Sequence, residues 1–209
     1  MSDFVNIWKN LDWTVPVQIV MNILPSLLCI TLHELSHGYV AYRLGDTTAK
    51  DAGRLTLNPL RHVDIGGLLM MALFRFGWAK PVPVDMRYFK KPKQGMALTA
   101  LAGPVSNFVL ALLALLCARL VYHQYGALWD FIFDLLLTTA YLSVGLGLFN
   151  LIPISPLDGS KVLFVFLPDS AYEKLMRYEK YGMIALLILV WLGVGDNVLN
   201  TALLFLFYD

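Results

Sequence analysis

Apolar residues run along this chain in long blocks separated by short polar stretches. A membrane-crossing helix needs about 20 mostly apolar residues at about 1.5 Å rise each, and four segments meet that need. The first runs from about Val15 to Tyr42. Pro16 falls in its first turn, where a missing N–H is tolerated, and Pro25 predicts a kink. The second covers roughly Met96 to Val121. The third covers roughly Ala127 to Ile152 and is ended by Pro153 and Pro156. The fourth begins near Tyr181, stops at Gly193-Val194-Gly195-Asp196 and resumes as a short interfacial helix through Phe207. A fifth apolar stretch, Ile65 to Phe74, is too short to span comfortably, opens on Gly66-Gly67 and is followed by Arg75. Alternation of polar and apolar positions in 46–59, through Gly53-Arg54-Leu55-Thr56-Leu57-Asn58-Pro59, predicts a short strand. Residues 77–94 contain Pro81, Pro83, Pro92 and several lysines and predict an irregular loop.

Composition supports the membrane reading. Of 209 residues, 58% are hydrophobic and 15% charged, with a mean hydropathy of +0.63. Soluble domains carry about 25% charged residues, so these charges are too few to cover a water-soluble globule. That excludes a disordered protein, a soluble two-domain enzyme and a binder of nucleic acid driven by basic charge; the net charge of +1 shows no such bias. Cys29 and Cys117 both lie in apolar runs, which argues against a disulfide framework. The first apolar stretch lacks a basic flank and a small-residue cleavage site, and reads as an anchor that stays on the chain.

Loop charges decide what the fifth stretch does, because Lys and Arg concentrate in cytoplasmic loops. If 65–74 does not cross, Arg43, Lys50, Arg54, Arg61, Arg75, Lys80, Arg87, Lys90, Lys91 and Lys93 share one side. Lys161, Lys174, Arg177 and Lys180 join them, and only Lys9 and Arg119 fall opposite. The expected architecture is an all-α, multi-pass membrane protein. It is a helical bundle of about four spans plus a short re-entrant segment and a small β element near 46–59. Both termini lie outside, and residues 1–209 form a single domain with a core of about 16–165 and a C-terminal span of about 181–207.

The chemistry-bearing pattern is His33-Glu34-Leu35-Ser36-His37. On a helix, i and i+4 share a face one turn apart, so two imidazoles can share one tetrahedral metal. Glu34 projects about 100° round from His33, within reach of a metal-bound water, which is the metalloprotease arrangement with Glu as general base. With four His and three Glu in the chain, chance gives this pattern in roughly one such chain in a thousand. These ionisable groups lie inside an apolar segment, where they are costly and usually functional. Cys29, one turn earlier on the same stripe, reads as a small buried packing residue rather than a thiolate ligand.

A catalytic zinc takes three protein ligands and a water. His62, Asp46, Asp51 and Asp64 follow the helix and are open candidates for the third. His123, Asp130 and Asp134 fall at the opposite membrane face in this topology. Asp158 is the best candidate: it follows the third span directly, beyond two helix-breaking prolines, and Gly159 permits a tight turn there.

The chain resembles the site-2 protease family of intramembrane zinc metalloproteases. It carries that family's HExxH as His33 to His37, its NxxPxxxxDG as Asn150 to Gly159, and between them Ala102-Gly103-Pro104-Val105-Ser106-Asn107, similar to its GPxxN segment. Gly53 to Pro59 and Gly77-Trp78-Ala79-Lys80-Pro81-Val82-Pro83-Val84 are similar to a compact bacterial or archaeal subgroup. The resemblance covers roughly residues 16–165. It implies one Zn2+ per chain held by His33, His37 and Asp158, with Glu34 as the base. It also implies substrate-contact roles for Asn107, Asn150 and Pro156, against the plain alternative of interhelical hydrogen bonding. Many relatives carry a PDZ or CBS domain; with no soluble block beyond about 35 residues, this chain shows neither.

The function expected is that of a zinc endopeptidase cutting membrane-protein substrates in or near their transmembrane segments. Its site would lie in the cell membrane, toward the cytoplasmic side. Substrate helix must unwind first, and the segments at 46–59 and 77–94 are candidates to bind or gate the unwound stretch. Two other classes compete. A membrane metal transporter would use the same three ligands in transit but needs polar groups continuing along a path to the far side, and the second and third spans offer few. An inactive homologue acting as a membrane binding partner would usually lack Glu34 or a ligand, and none is lost.

Overall fold

From Thr14 to Leu32 the chain carries no charged side chain. In the computed structural model this run continues unbroken through the histidine segment as one 30-residue helix, α1 (Thr14–Arg43). The structure describes residues 14–67, 79–178, 181–182 and 188. Pro25 lies within α1, fully buried, and the helix continues past it. Arg43 closes the last turn, where its charge favours the carbonyl end of the helix dipole.

The connection to the next long helix is built from side-chain caps. Asp46 Oδ1 accepts from both the N–H and the hydroxyl of Thr48 and starts the short helix α2 (Thr48–Asp51). Asn58 and Asp85 cap 3-10 turns at Pro59–Arg61 and Met86–Tyr88. Then follow α3 (Pro92–Val121), α4 (Ala127–Asn150), α5 (Asp158–Phe164) and α6 (Asp169–Arg177).

The long helices α1, α3 and α4 pack against one another, and α5 packs against α3. Small side chains make the α3–α4 contact close: Ala111, Ala114, Ala140 and Val144 are buried between them, ringed by Phe108, Leu136 and Leu148. The opposite face of α3 presents Val109, Leu112, Leu113, Leu116 and Leu120 outward. At 1.5 Å per residue, α3 is about 45 Å long and α4 about 36 Å, against about 30 Å of bilayer hydrocarbon. Both are long and apolar enough to cross a membrane.

The expected strand near 46–59 is not there. Those residues form α2, a run of bends and the Pro59–Arg61 turn. Their alternation has another origin: Asp46 and Arg54 are buried as individual anchors and Asn58 is a cap, so no strand edge is paired. Among the described residues the β pairing is a single antiparallel bridge, Val63 to Ala79. The second apolar helix starts at Pro92, four residues before the expected Met96, and Gly103 and Pro104 lie in its middle. In the predicted re-entrant stretch, 65–67 are helical, with Asp64 Oδ1 accepting from the Gly67 N–H at 2.8 Å. Residues 68–74 lie outside the described residues, as does the expected span at 181–207 apart from 181–182 and 188.

Candidate metal centre

Helical spacing puts His33 and His37 on the same face of α1, both buried, with ring centroids 4.6 Å apart and planes nearly perpendicular. Asp158 reaches them from 125 positions beyond His33: its Oδ2 lies 3.1 Å from His33 Nε2 and 3.2 Å from His37 Nε2. One donor atom from each of the three falls within 4.8 Å of the others. Among the described residues this is the group of His, Cys, Asp and Glu side chains able to hold a metal ion. Ligands about 2.0–2.2 Å from a tetrahedral zinc sit about 3.3–3.5 Å from each other. Two nitrogens and a carboxylate oxygen at the observed spacings therefore fit such an ion with little movement.

Local sequence explains how Asp158 gets there. α4 stops at Asn150, and the turn that follows holds Pro153 and Pro156, neither with an N–H to continue a helix. α5 then starts on Asp158 itself, hard against the end of α4: a Cβ on Gly159 would stand 2.1 Å from the Leu151 carbonyl oxygen. Gly159 is thus required for close approach. Its backbone is not in the left-handed region, so the tight-turn expectation gives way to a packing one.

One face of α3 backs both imidazoles, through residues 99, 103 and 107 at i, i+4 and i+8. The Thr99 carbonyl accepts from His37 Nδ1 at 2.7 Å. That fixes the tautomer and leaves the Nε2 lone pair for a metal. Gly103 lies against the rings, so close that a Cβ there would stand 2.5 Å from His37 Nε2 and 2.6 Å from His33 Cε1. Asn107, fully buried, places its Nδ2 3.1 Å from His33 Nδ1, while its Oδ1 is buried with no partner among the described residues. Ser143 of α4 donates to the Asn107 carbonyl at 2.9 Å and ties the third long helix to the same point.

Glu34 is outside the ligand group. It is half-buried, and its Oε2 accepts from the Val82 N–H at 2.9 Å. Asn150 donates to the Leu146 carbonyl at 2.9 Å in the last turn of α4, and Pro156, half-buried, follows a cis peptide from Ser155. The other candidate ligands are engaged elsewhere. His62 is fully buried and donates through Nε2 to the Thr56 carbonyl. Asp46 and Asp64 serve as caps, and Asp51 accepts from the Thr47 hydroxyl. Cys29 points to the Thr139 carbonyl of α4, and His123 packs on Tyr122 just beyond the far end of α3. Sequence reasoning missed Gly103, the Thr99 carbonyl and the Val82 N–H. For Gly103 the available signal was a residue without a side chain one turn before a buried Asn; for the Val82 N–H it was the proline on either side, and the Thr99 carbonyl carried none.

Comparison with known proteins agrees with this geometry. The model of peptidase family M50 matches residues 120–193. Over 178 residues the chain is 41% identical to "Putative zinc metalloprotease YwhC" of Bacillus subtilis, covering 83% of this chain and 81% of that one. Over 170 residues it is 29% identical to Rip2 of Mycolicibacterium smegmatis, which carries the same designation, covering 78% of this chain and 64% of Rip2. Zinc metalloprotease MJ0392 of Methanocaldococcus jannaschii is 28% identical over 134 residues, 64% of this chain and 30% of that one. No solved structure matches the chain significantly. The chain belongs to peptidase family M50, the site-2 protease family, and is a metalloendopeptidase.

Proposed function

We propose that the protein is a zinc-dependent intramembrane endopeptidase that hydrolyses peptide bonds in or near the transmembrane segments of membrane-protein substrates. The observation that carries this reading is the convergence of His33, His37 and Asp158, from opposite ends of the chain, beside Glu34. The apolar helices α3 and α4 support a membrane setting. With α1 and the segment at 181–207 they make four spans, and the distribution of Lys and Arg puts the centre toward the cytoplasmic side. Beyond Asn107 and Ser143 the α3–α4 contact is an apolar layer of Ala111, Ala114, Ala140 and Val144, which weighs against metal transport.

His33, His37 and Asp158 hold the metal. Zinc, when bound, supplies Lewis acidity that polarises a carbonyl and acidifies water. Glu34 moves the proton. One of its oxygens is occupied by the Val82 N–H. The other takes the proton from water as the water oxygen adds to the scissile carbonyl carbon, and returns it to the amine nitrogen as the C–N bond breaks. A helical substrate has its backbone groups satisfied internally and must unwind to be attacked. Asn150 and Pro156, in the broken segment that leads to Asp158, contact the unwound stretch.

Glu34→Gln tests the reading in protein reconstituted with single-span membrane proteins, with zinc content and new N-termini measured together. Zinc stays near one per chain, because Glu34 is not a ligand, and cleavage falls by about 10²–10⁴-fold. Near-wild-type cleavage by the variant would refute the mechanism.

A further inference from the structure

The segment 79–85 lies between the Val63–Ala79 bridge and the Met86–Tyr88 turn, and its main chain is held from several sides. The Lys80 N–H donates to the His62 carbonyl at 2.9 Å. One guanidinium nitrogen of Arg54 donates to the Lys80 carbonyl at 2.6 Å and the Pro81 carbonyl at 3.3 Å. The Val82 N–H donates to Glu34 Oε2 at 2.9 Å, and the Asp85 N–H to Asp46 Oδ2 at 2.7 Å.

Two of these clamps are buried ionisable side chains: Asp46 is 0% exposed and Arg54 6%. Arg54 pairs with no carboxylate among the described residues, and its Nε has no partner there. Burying a charge so poorly compensated is costly, and an apolar side chain of similar length would fill the space with less desolvation. What the guanidinium does, and an apolar side chain would not, is fix two successive carbonyls and so the register of the segment. That register is critical at one point. Val82 stands between Pro81 and Pro83, neither of which has an N–H. A slip of one residue in either direction would put a proline opposite Glu34 and remove the donor.

We propose that Arg54 is a positioning residue for the reaction. It sets the register of 79–85, so that the Val82 N–H holds one oxygen of Glu34 and leaves the other aimed for proton transfer. The inference rests on the proposed role of Glu34 as base.

The test uses the full chain in membranes, with Arg54→Met, which keeps length without donors, and Arg54→Lys, which keeps the cation with one donor point. A third variant, Val82→Pro, removes the N–H while leaving Arg54 in place, at the cost of the buried Val82 side chain. Zinc content, kcat, KM and hydrogen exchange of peptides spanning 79–85 are measured for each. Arg54→Met keeps its zinc and a KM within about threefold of wild type. It loses about 10–100-fold in kcat, the scale of a misplacement of about 1 Å, and its 80–85 amides exchange about tenfold faster. Arg54→Lys recovers part of both, and Val82→Pro reproduces the kcat loss with Arg54 intact. Unchanged exchange or unchanged kcat in Arg54→Met would overturn the proposal. So would loss of zinc together with kcat, which marks a purely structural role, and so would a rise in kcat, which marks a contact that restrains the base. If Arg54→Met does not fold, wild-type kcat in both other variants overturns it. A wild-type protein that cleaves nothing would instead refute the protease reading, and the exchange comparison would still report whether Arg54 holds the segment.

Discussion

Replacing Gly103 by Ala perturbs the site through packing alone, because the added methyl crowds both imidazoles but removes no ligand and no proton-transfer group. A Cβ at 103 would stand 2.5 Å from His37 Cε1, 2.5 Å from His37 Nε2 and 2.6 Å from His33 Cε1. Carbon atoms rest about 3.5–4.0 Å apart, so the overlap is about 1 Å with both rings at once. Neither ring can turn away freely, since His37 Nδ1 is bonded to the Thr99 carbonyl and His33 Nδ1 faces Asn107. Two effects of opposite sign compete. In an exposed helix Ala is favoured over Gly by about 0.8–1.0 kcal/mol. Overpacking costs about 1–3 kcal/mol, and here the strain falls on ligand-bearing rings, whose distances to a bound metal must hold to within about ±0.2 Å. The clash wins by up to about 2 kcal/mol, and at about 1.4 kcal/mol per tenfold zinc affinity falls by up to about 30-fold. Chelator competition on the purified protein gives the affinity, and thermal unfolding in excess chelator gives the metal-free stability. Gly103→Ala with wild-type zinc affinity and wild-type cleavage would show that α3 does not back the rings as described. An equal loss of zinc affinity in Ala102→Gly, on a neighbouring face, would show that the effect is general to the helix.

Asp158→Ala lowers zinc occupancy and removes cleavage together, whereas Asp64→Ala, which loses only a cap, spares both. Zinc analysis with a cleavage assay decides, and a fully loaded Asp158→Ala protein would sink the ligand assignment. Single cysteines at Lys50, Lys91 and Lys174 label from the cytoplasmic side and one at Tyr125 from the other. Labelling of Lys91 from the far side would mean that 65–74 crosses, and the four-span arrangement would fall.

The extents of α1, α3 and α4 were legible within a few residues, because an apolar block of fixed length admits few alternatives in a membrane. His33, Glu34 and His37 were legible because one helix presents them and helical geometry is fixed by spacing alone. Asp158 was the best of several candidates on its own residues, and the family motif strengthened it; no local rule predicts a contact across 125 positions. The strand near 46–59 failed for a specific reason. Alternation reports which side chains are anchored, and Asp46 and Arg54 are anchored to the main chain of 79–85 rather than along a sheet. Gly159 was read for conformational freedom when its lack of a Cβ was what mattered. The Thr99 carbonyl was out of reach, since any residue could supply it, and the Val82 N–H was marked in the sequence only as the donor between Pro81 and Pro83.

Asn107 shows how the metal reading constrains a residue first considered for substrate contact. If His33 gives Nε2 to a metal, its proton must sit on Nδ1, and that atom then needs an acceptor. Asn107 turns a donor, Nδ2, toward it at 3.1 Å, while its acceptor, Oδ1, is buried without a partner. Rotating the amide by 180° gives Nδ1–H its acceptor and moves the unpartnered position from Oδ1 to Nδ2, and the oxygen and nitrogen of an amide are distinguished by such networks alone. On that reading Asn107 acts on the metal through His33. Asn107→Leu, of similar volume, leaves Nδ1–H buried and unpaired and should weaken zinc binding by about 10–100-fold. Asn107→Asp keeps an acceptor and should retain most of the affinity. Chelator competition on the two purified variants measures both. If Asn107→Leu binds zinc like the wild type while its KM for substrate rises, Asn107 belongs to the substrate and not to the metal.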